Sequence, residues 1–153
     1  MSISTRRATL DDIDAVAPLF DAYRRFYHQP GDLPRARAFL LERMQLNQSL
    51  VLIAERDGTA VGFTQLYPMF SSVRTAPIWI LNDLYVADTA RRCGVARRLL
   101  DAAAVAAQAV GAARIMLETS RDNDAARALY RDAGWDEDES QWYSLSLADR
   151  RAL

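Results

Sequence analysis

One stretch constrains this chain more than any other: Ile78 to Leu100, IWILNDLYVADTARRCGVARRLL. It reads as a buried strand, a short polar turn, and then a helix entered through Arg91-Arg92-Cys93-Gly94-Val95-Ala96. Glycine at the helix mouth reaches backbone conformations closed to other residues, and its missing Cβ lets an anion approach the main chain. The first-turn amides have no intrahelical acceptors. Together with the positive helix end and the arginines, they form a site suited to a pyrophosphate. An ordinary strand–turn–helix corner, with glycine present for packing, explains the same letters. There is no Gly-Lys-Ser/Thr ending of a P-loop and no G-x-G-x-x-G here.

The rest of the chain suits a helix-and-sheet scaffold around that corner. Ile3 to Ala8 reads as a first strand, and Thr9-Leu10-Asp11-Asp12 as a helix-capping stretch. From Asp12, Ile13, Val16, Leu19, Phe20, Tyr23 and Tyr27 recur at helical spacing, and that helix should end near His28-Gln29-Pro30-Gly31. A second helix begins at Asp32 or Leu33, with Pro34 in its first turn and Phe39, Leu40, Met44 and Leu46 on its apolar face. Leu50–Glu55 and Ala60–Tyr67 read as strands around an Asp57-Gly58 hairpin turn. Pro68 to Ala76 reads as a polar loop. A helix from Gly94 to Ala109 is followed by Gly111 as its cap, and Arg114–Thr119 reads as a strand. Asn123–Ala133 reads as a helix stopped by Gly134, and Trp135 and Gln141–Leu147 as two final strands around the acidic run 136–139. The order β-α-α-β-β-β-α-β-α-β-β is that of a mixed α/β sheet with helices on both faces.

At 153 residues, 50% apolar and 25% charged, the chain is expected to be a single domain spanning 1–153. A net charge of −1 and dispersed arginines argue against nucleic-acid or membrane partners. The N-terminus lacks the apolar core of a signal peptide and Cys93 is the one cysteine, so a reducing cytoplasm is expected.

A second motif, Asn123-Asp124-Ala125-Ala126-Arg127-Ala128-Leu129-Tyr130-Arg131-Asp132-Ala133-Gly134-Trp135, fits N-x-x-A-x-x-L-Y-x-x-x-G-F/W. It follows the R-x-x-G-x-A of Arg91, Gly94 and Ala96 by one βα unit. In this order the two motifs resemble the paired signatures of the Gcn-five-related N-acetyltransferases (GNAT), and the resemblance extends over the whole chain. LNDLYV, FTQLYP and the FYHQP loop look most like the small histone/polyamine branch.

The resemblance implies a mostly antiparallel sheet with a parallel, splayed pair at an acetyl-coenzyme A site, no metal, and acetyl transfer to a primary amine by direct attack. The acceptor would be a polyamine, an amino-acid-like small molecule or a basic protein or peptide. It implies that Leu84, Tyr85 and Val86 offer main-chain groups to the pantetheine arm. Arg91, Arg92, Cys93, Gly94, Val95, Ala96 and Arg97 would wrap the pyrophosphate through their amides. Asn123 would bond the cofactor arm, and Tyr130 would reach the sulfur and protonate the leaving thiolate. Packing in the core is the alternative role for Tyr130.

An alkylammonium has a pKa near 10.4, so only about one molecule in 2,500 is neutral at pH 7 and a proton acceptor is expected. Where many relatives carry a glutamate, this chain has Asn82. Two options stand: Asn82 orienting a water, or Asp83 as base if a bulge overrides strand alternation. The competing reading of Asp83 is a structural partner of an arginine, and Glu118 is a weaker third candidate. Tyr23, Tyr27, Gln65 and Tyr67 are the expected substrate residues, with His28 a loop residue and Cys93 no nucleophile. The acidic run 136–139 reads as a solvated turn or as an attraction for a polyamine. Asn82 also leaves room for a non-catalytic acetyl-coenzyme A sensor. Trp142, Tyr143, Leu145 and Leu147 supply an apolar edge for a homodimer.

Overall fold

A computed structural model describes residues 2–148; Met1 and residues 149–153, the ends of the expected domain, lie outside the described residues. Five strands form one sheet in the order β1-β2-β3-β4-β5: β1 (Ile3–Arg7), β2 (Leu50–Arg56), β3 (Thr59–Ser71), β4 (Ala76–Val86) and β5 (Ile115–Met116). The first four pair antiparallel, and β4 with β5 is parallel. Helices α1 (Ile13–Phe26), α2 (Leu33–Gln45), α3 (Val95–Ala109) and α4 (Asp124–Asp132) surround it. The mixed α/β architecture expected from the element order is therefore present.

Strand alternation divides the core into two layers. Val51, Ile53 and Phe63 face Val16, Ala17 and Phe20 of α1 and Leu40 of α2. Leu52, Ala54, Val61 and Leu66 face Val95, Leu99, Leu100 and Ala103 of α3. The α3 layer brings backbone close to backbone. A Cβ at Gly62 would stand 2.9 Å from the Tyr85 carbonyl oxygen and 3.2 Å from Val95 Cγ1, so only glycine fits there. The Asp57-Gly58 turn forms as expected. Both residues have positive φ, 52° and 78°, which matches the twist of a two-residue hairpin.

Three expectations need correction. The stretch 68–76 is mostly strand: β3 runs on to Ser71, β4 starts at Ala76, and only Ser72–Thr75 turn. The tip of this ribbon is exposed, Phe70 78% and Val73 95%, so it lacks the buried apolar face that marks a half-buried strand. The strand expected over Arg114–Thr119 pairs only at Ile115 and Met116. The final strands expected at Trp135 and Gln141–Leu147 do not form, and residues 141–147 carry no regular structure.

Candidate active site

The site lies where β4 parts from β5. Trp79 pairs with Ile115 and Ile80 with Met116, and beyond that point the two strands share no pairing although β4 continues to Val86. Leu84, Tyr85 and Val86 remain bonded to β3 on one side, and their β5 side is open. An extended arm bearing amides can lie against such an edge as an added strand does.

β4 also carries an irregularity. Gln65 is opposite Asp83 and Leu66 is opposite Leu81, so Asn82 is the extra residue of a β-bulge. Residues 81 and 83 would share a face in a regular strand. Here Leu81 joins the α3 layer, whereas Asp83 turns to Gln65 and the tyrosines of the α1 side. The Asn82 side chain is exposed, and its carbonyl oxygen accepts a hydrogen bond from the Tyr23 hydroxyl at 3.0 Å.

Asp83 is 4% exposed. Gln65 Nε2 donates to its carboxylate at 2.5 Å, and Thr64 Oγ1 donates to its carbonyl oxygen at 2.7 Å. The arginine partner considered for it is absent among the described residues. Burial raises the Asp83 pKa to about 6, opposed by the Gln65 hydrogen bond. Gln65 is itself fully buried, and its Oε1 has no hydrogen-bond partner. Asp83 in turn raises the pKa of Tyr23 and Tyr67, after burial itself. Tyr27 packs on Tyr23 with ring centres 5.0 Å apart. Tyr130 on α4 is half-buried, 6.3 Å from the Trp135 ring, and its pKa is raised by burial and then by Tyr27. Its hydroxyl thus holds its proton at neutral pH. Tyr27, Tyr67, Asp83 and Tyr130 all lie near enough to Tyr23 to act on it electrostatically, and Gln65 bonds Asp83. Glu118 is exposed and lines a groove beside β5 that Tyr130 also lines, and His28 is an exposed loop residue.

The helix mouth is built for close approach. Arg92 and Gly94 both have positive φ, 61° and 76°, and no atom lies within 4 Å of where a Gly94 Cβ would be. Arg98 N–H to Gly94 C=O is the first bond of α3, so the amides of Val95, Ala96 and Arg97 precede the helical ladder. Two arginine side chains expected at the anion are engaged elsewhere. Arg91 donates to the Val86 carbonyl at 3.1 Å and pairs with Asp88 at 2.8 Å, while Arg97 binds Asp101 and the Asp132 carbonyl. Backbone rather than guanidinium groups face the mouth at these two positions. Cys93 is exposed. Asn123 caps α4 by accepting from Ala126 N–H through Oδ1, which leaves its Nδ2 for another partner.

Thr64 is not among the residues that the sequence points to, although its neighbour Gln65 is. A hydroxyl inside an apolar strand gives no pattern signal, and its role depends on which carbonyl it meets. No group of metal-ligating side chains is found among the described residues.

The comparisons with known proteins agree with this geometry. The description "Acetyltransferase (GNAT) family" matches residues 14–135. The chain is 48% identical over 136 residues to an uncharacterized N-acetyltransferase, YhfO, of Bacillus subtilis (strain 168), covering 89% of this chain and 91% of that protein. A crystal structure of a probable acetyltransferase superposes with a TM-score of 0.89 at 40% identity, covering 98% of this chain and 100% of the other. The aminoglycoside N-acetyltransferase AAC(6')-Iy, solved in complex with CoA, shares the fold with a TM-score of 0.81 at 19% identity over 96% of each chain. The chain belongs to the GNAT family of acetyltransferases.

Proposed function

We propose that this protein transfers an acetyl group from acetyl-coenzyme A to a primary amine, with Asp83 as proton acceptor and Tyr130 as proton donor. The observation that carries this reading is the buried Asp83 carboxyl beside Tyr23 and Tyr67, whose pKa of about 6 leaves it ionised at neutral pH. Acetyl-coenzyme A fits the two features that would hold it: the open β4 edge at Leu84–Val86 and the free amides around Gly94. A relative of the same fold has been solved with CoA. Bound there, it supplies the activated acetyl group. Asn123 Nδ2 is free to bond its arm.

The amine nitrogen attacks the thioester carbon, the C–S bond breaks, Asp83 takes a proton from nitrogen and Tyr130 gives one to sulfur. Asp83 and the unpartnered Gln65 Oε1 together present acceptors to an N–H-bearing substrate. Tyr23, Tyr27 and Tyr67 form walls that favour a cationic alkyl chain. A polyamine or another small amine of the histone/polyamine branch fits this arrangement best, with a basic peptide next. The protein works without metal, in the cytoplasm. No helix among the described residues is long and apolar enough to cross a membrane.

A panel of polyamines, amino acids, aminoglycosides and basic peptides, assayed for thiol release, tests the reading. Turnover of one amine that is lost in Asp83→Asn supports it. Tight acetyl-coenzyme A binding with no turnover of any amine would favour a sensor instead.

A further inference from the structure

Two neighbouring carbonyl groups at the Asn82 bulge accept hydrogen bonds from side chains. In a regular ladder the carbonyls of a strand accept from the amides of the strands beside it. An extra residue interrupts that pattern and leaves its own groups unpaired. The Asn82 carbonyl accepts from the Tyr23 hydroxyl at 3.0 Å, and the Asp83 carbonyl accepts from Thr64 Oγ1 at 2.7 Å. Thr64 belongs to β3 and is next to Gln65, the residue opposite Asp83, so its bond comes from within the sheet. Tyr23 belongs to α1, 59 residues earlier in the chain, and reaches the bulge from a different element.

A peptide unit is planar, so a carbonyl that cannot turn fixes the atoms attached to it. The Asn82 carbonyl shares its plane with the nitrogen and Cα of Asp83, and the Asp83 carbonyl shares the next plane with the nitrogen of Leu84. Holding both planes sets the direction in which the Asp83 Cβ leaves the main chain. Gln65 Nε2 then bonds the carboxylate itself. The Tyr23 hydroxyl is suited to be a fixed point. Its ring packs against Phe20, Tyr27 and Phe63 at centre distances of 6.3, 5.0 and 6.1 Å, beside the buried layer between α1 and the sheet. A ring held by three others delivers its hydroxyl to one place. Burial and then Asp83 push the Tyr23 pKa up, so the hydroxyl keeps its proton and remains a donor.

We propose that Tyr23 is a positioning residue for the reaction: its hydroxyl fixes the peptide plane between Asn82 and Asp83 and so aims the Asp83 carboxylate. The inference rests on the acetyl-transfer reading, in which Asp83 takes the amine proton, and it replaces the substrate contact expected of the Tyr23 hydroxyl from the sequence. The ring can still form a wall for the substrate, but the hydroxyl proton is committed to the main chain. Asn82 is exposed, so water can bond its carbonyl once the hydroxyl is removed. Such a water satisfies the oxygen without fixing its direction. Loss of the hydroxyl therefore disturbs the aim of Asp83 more than the stability of the fold.

Tyr23→Phe, which keeps the ring and its packing, is the test. With an amine that works, kcat should fall about 10-fold while the amine KM stays within about 2-fold and the melting temperature within about 3 °C. In the Asp83→Asn background, Tyr23→Phe should cost less than about 2-fold more, because its effect runs through the missing carboxylate. Parental kcat, with or without a raised KM, overturns the proposal, and so does an undiminished loss in the Asp83→Asn background, which would make Tyr23 act independently of Asp83. Carbon NMR of the Asp83 carboxyl, assigned by its absence in Asp83→Asn, needs no turnover. The signal should titrate at about pH 6 in the parent and at least about 0.5 lower in Tyr23→Phe, as the released carboxylate reaches water. Identical titrations overturn the proposal whatever the activity. Parental turnover in Asp83→Asn alone overturns the role of Asp83 and this inference with it, and that single variant tells this case from a failure confined to Tyr23.

Discussion

Replacing Asp83 by asparagine should lower activity and raise stability, and the two effects should have different pH dependences. The side chain is 4% exposed, and burial lifts its pKa from 3.8 to about 6. Because the folded pKa is raised, the native state holds the proton more tightly than the unfolded chain. The stabilisation that results is fully present below about pH 4 and is lost as pH rises through about 6. A shift of about 2 units corresponds to about 3 kcal/mol, the penalty carried by the ionised, desolvated carboxylate at pH 8. Asparagine has nearly the same shape, can keep the contact with Gln65, and cannot ionise. Asp83→Asn should therefore be more stable than the parent by up to about 3 kcal/mol at pH 8, roughly 6–12 °C in melting temperature, and equal to it near pH 3.5.

Activity should move the other way. Loss of a general base lowers turnover by about 10²- to 10⁴-fold. With the parent, kcat/KM for a working amine should rise through pH 6 as Asp83 ionises; with the variant that inflection should vanish. Thermal unfolding at the two pH values and thiol release from pH 5 to 9 measure both. Parental turnover in the variant would remove Asp83 from the chemistry. A stability gain as large at pH 3.5 as at pH 8 would show that the gain does not come from the charge.

Gly94→Val should weaken acetyl-coenzyme A binding at least about 10-fold in calorimetry, because a side chain at φ 76° is strained and stands where an anion must approach; unchanged affinity would relocate the site. Tyr130→Phe should lower turnover about 10²-fold and leave acetyl-coenzyme A affinity nearly unchanged, since a thiolate is a fair leaving group even unprotonated. Normal turnover with a large drop in melting temperature would make Tyr130 a packing residue. Asn82→Ala should leave turnover within about 3-fold of the parent, because the Asn82 side chain is exposed and its contact with Tyr23 is made by the backbone; a loss like that of Asp83→Asn would restore the water-orienting reading.

Much of this fold could be read from local chemistry. The Asp57-Gly58 hairpin, the α3 entry at Gly94 and the Asn123 cap each rest on one or two residues whose backbone preferences decide the outcome. What could not be read depends on distant partners. The tip of the β3–β4 ribbon looks like a loop because its strands are held by pairing with each other, with Phe70 and Val73 left exposed. The opposite error occurs at Gln141–Leu147, whose strand pattern is clear but which finds no sheet edge within its own chain. A strand needs a partner as well as a pattern, and the partner is not written locally.

The bulge at Asn82 shows the same limit in the site itself. Bulges are often marked by glycine, but the sequence around 82 has neither glycine nor proline, so alternation alone left Asn82 and Asp83 unresolved. The register supplies the missing step: one extra residue opposite the Gln65–Leu66 pair keeps Leu81 in the α3 layer while turning Asp83 to the tyrosines. Without it, Leu81 and Asp83 would share a face, and either an apolar side chain would leave the core or a carboxylate would enter the α3 layer. The bulge resolves that conflict for packing, and the same shift turns a carboxylate toward Gln65 and the tyrosines of the α1 side. Its buried hydrogen bonds from Gln65 and Thr64 hold the displaced residue in place. The local geometry that turns Asp83 toward the tyrosines is invisible until β3 is paired with β4.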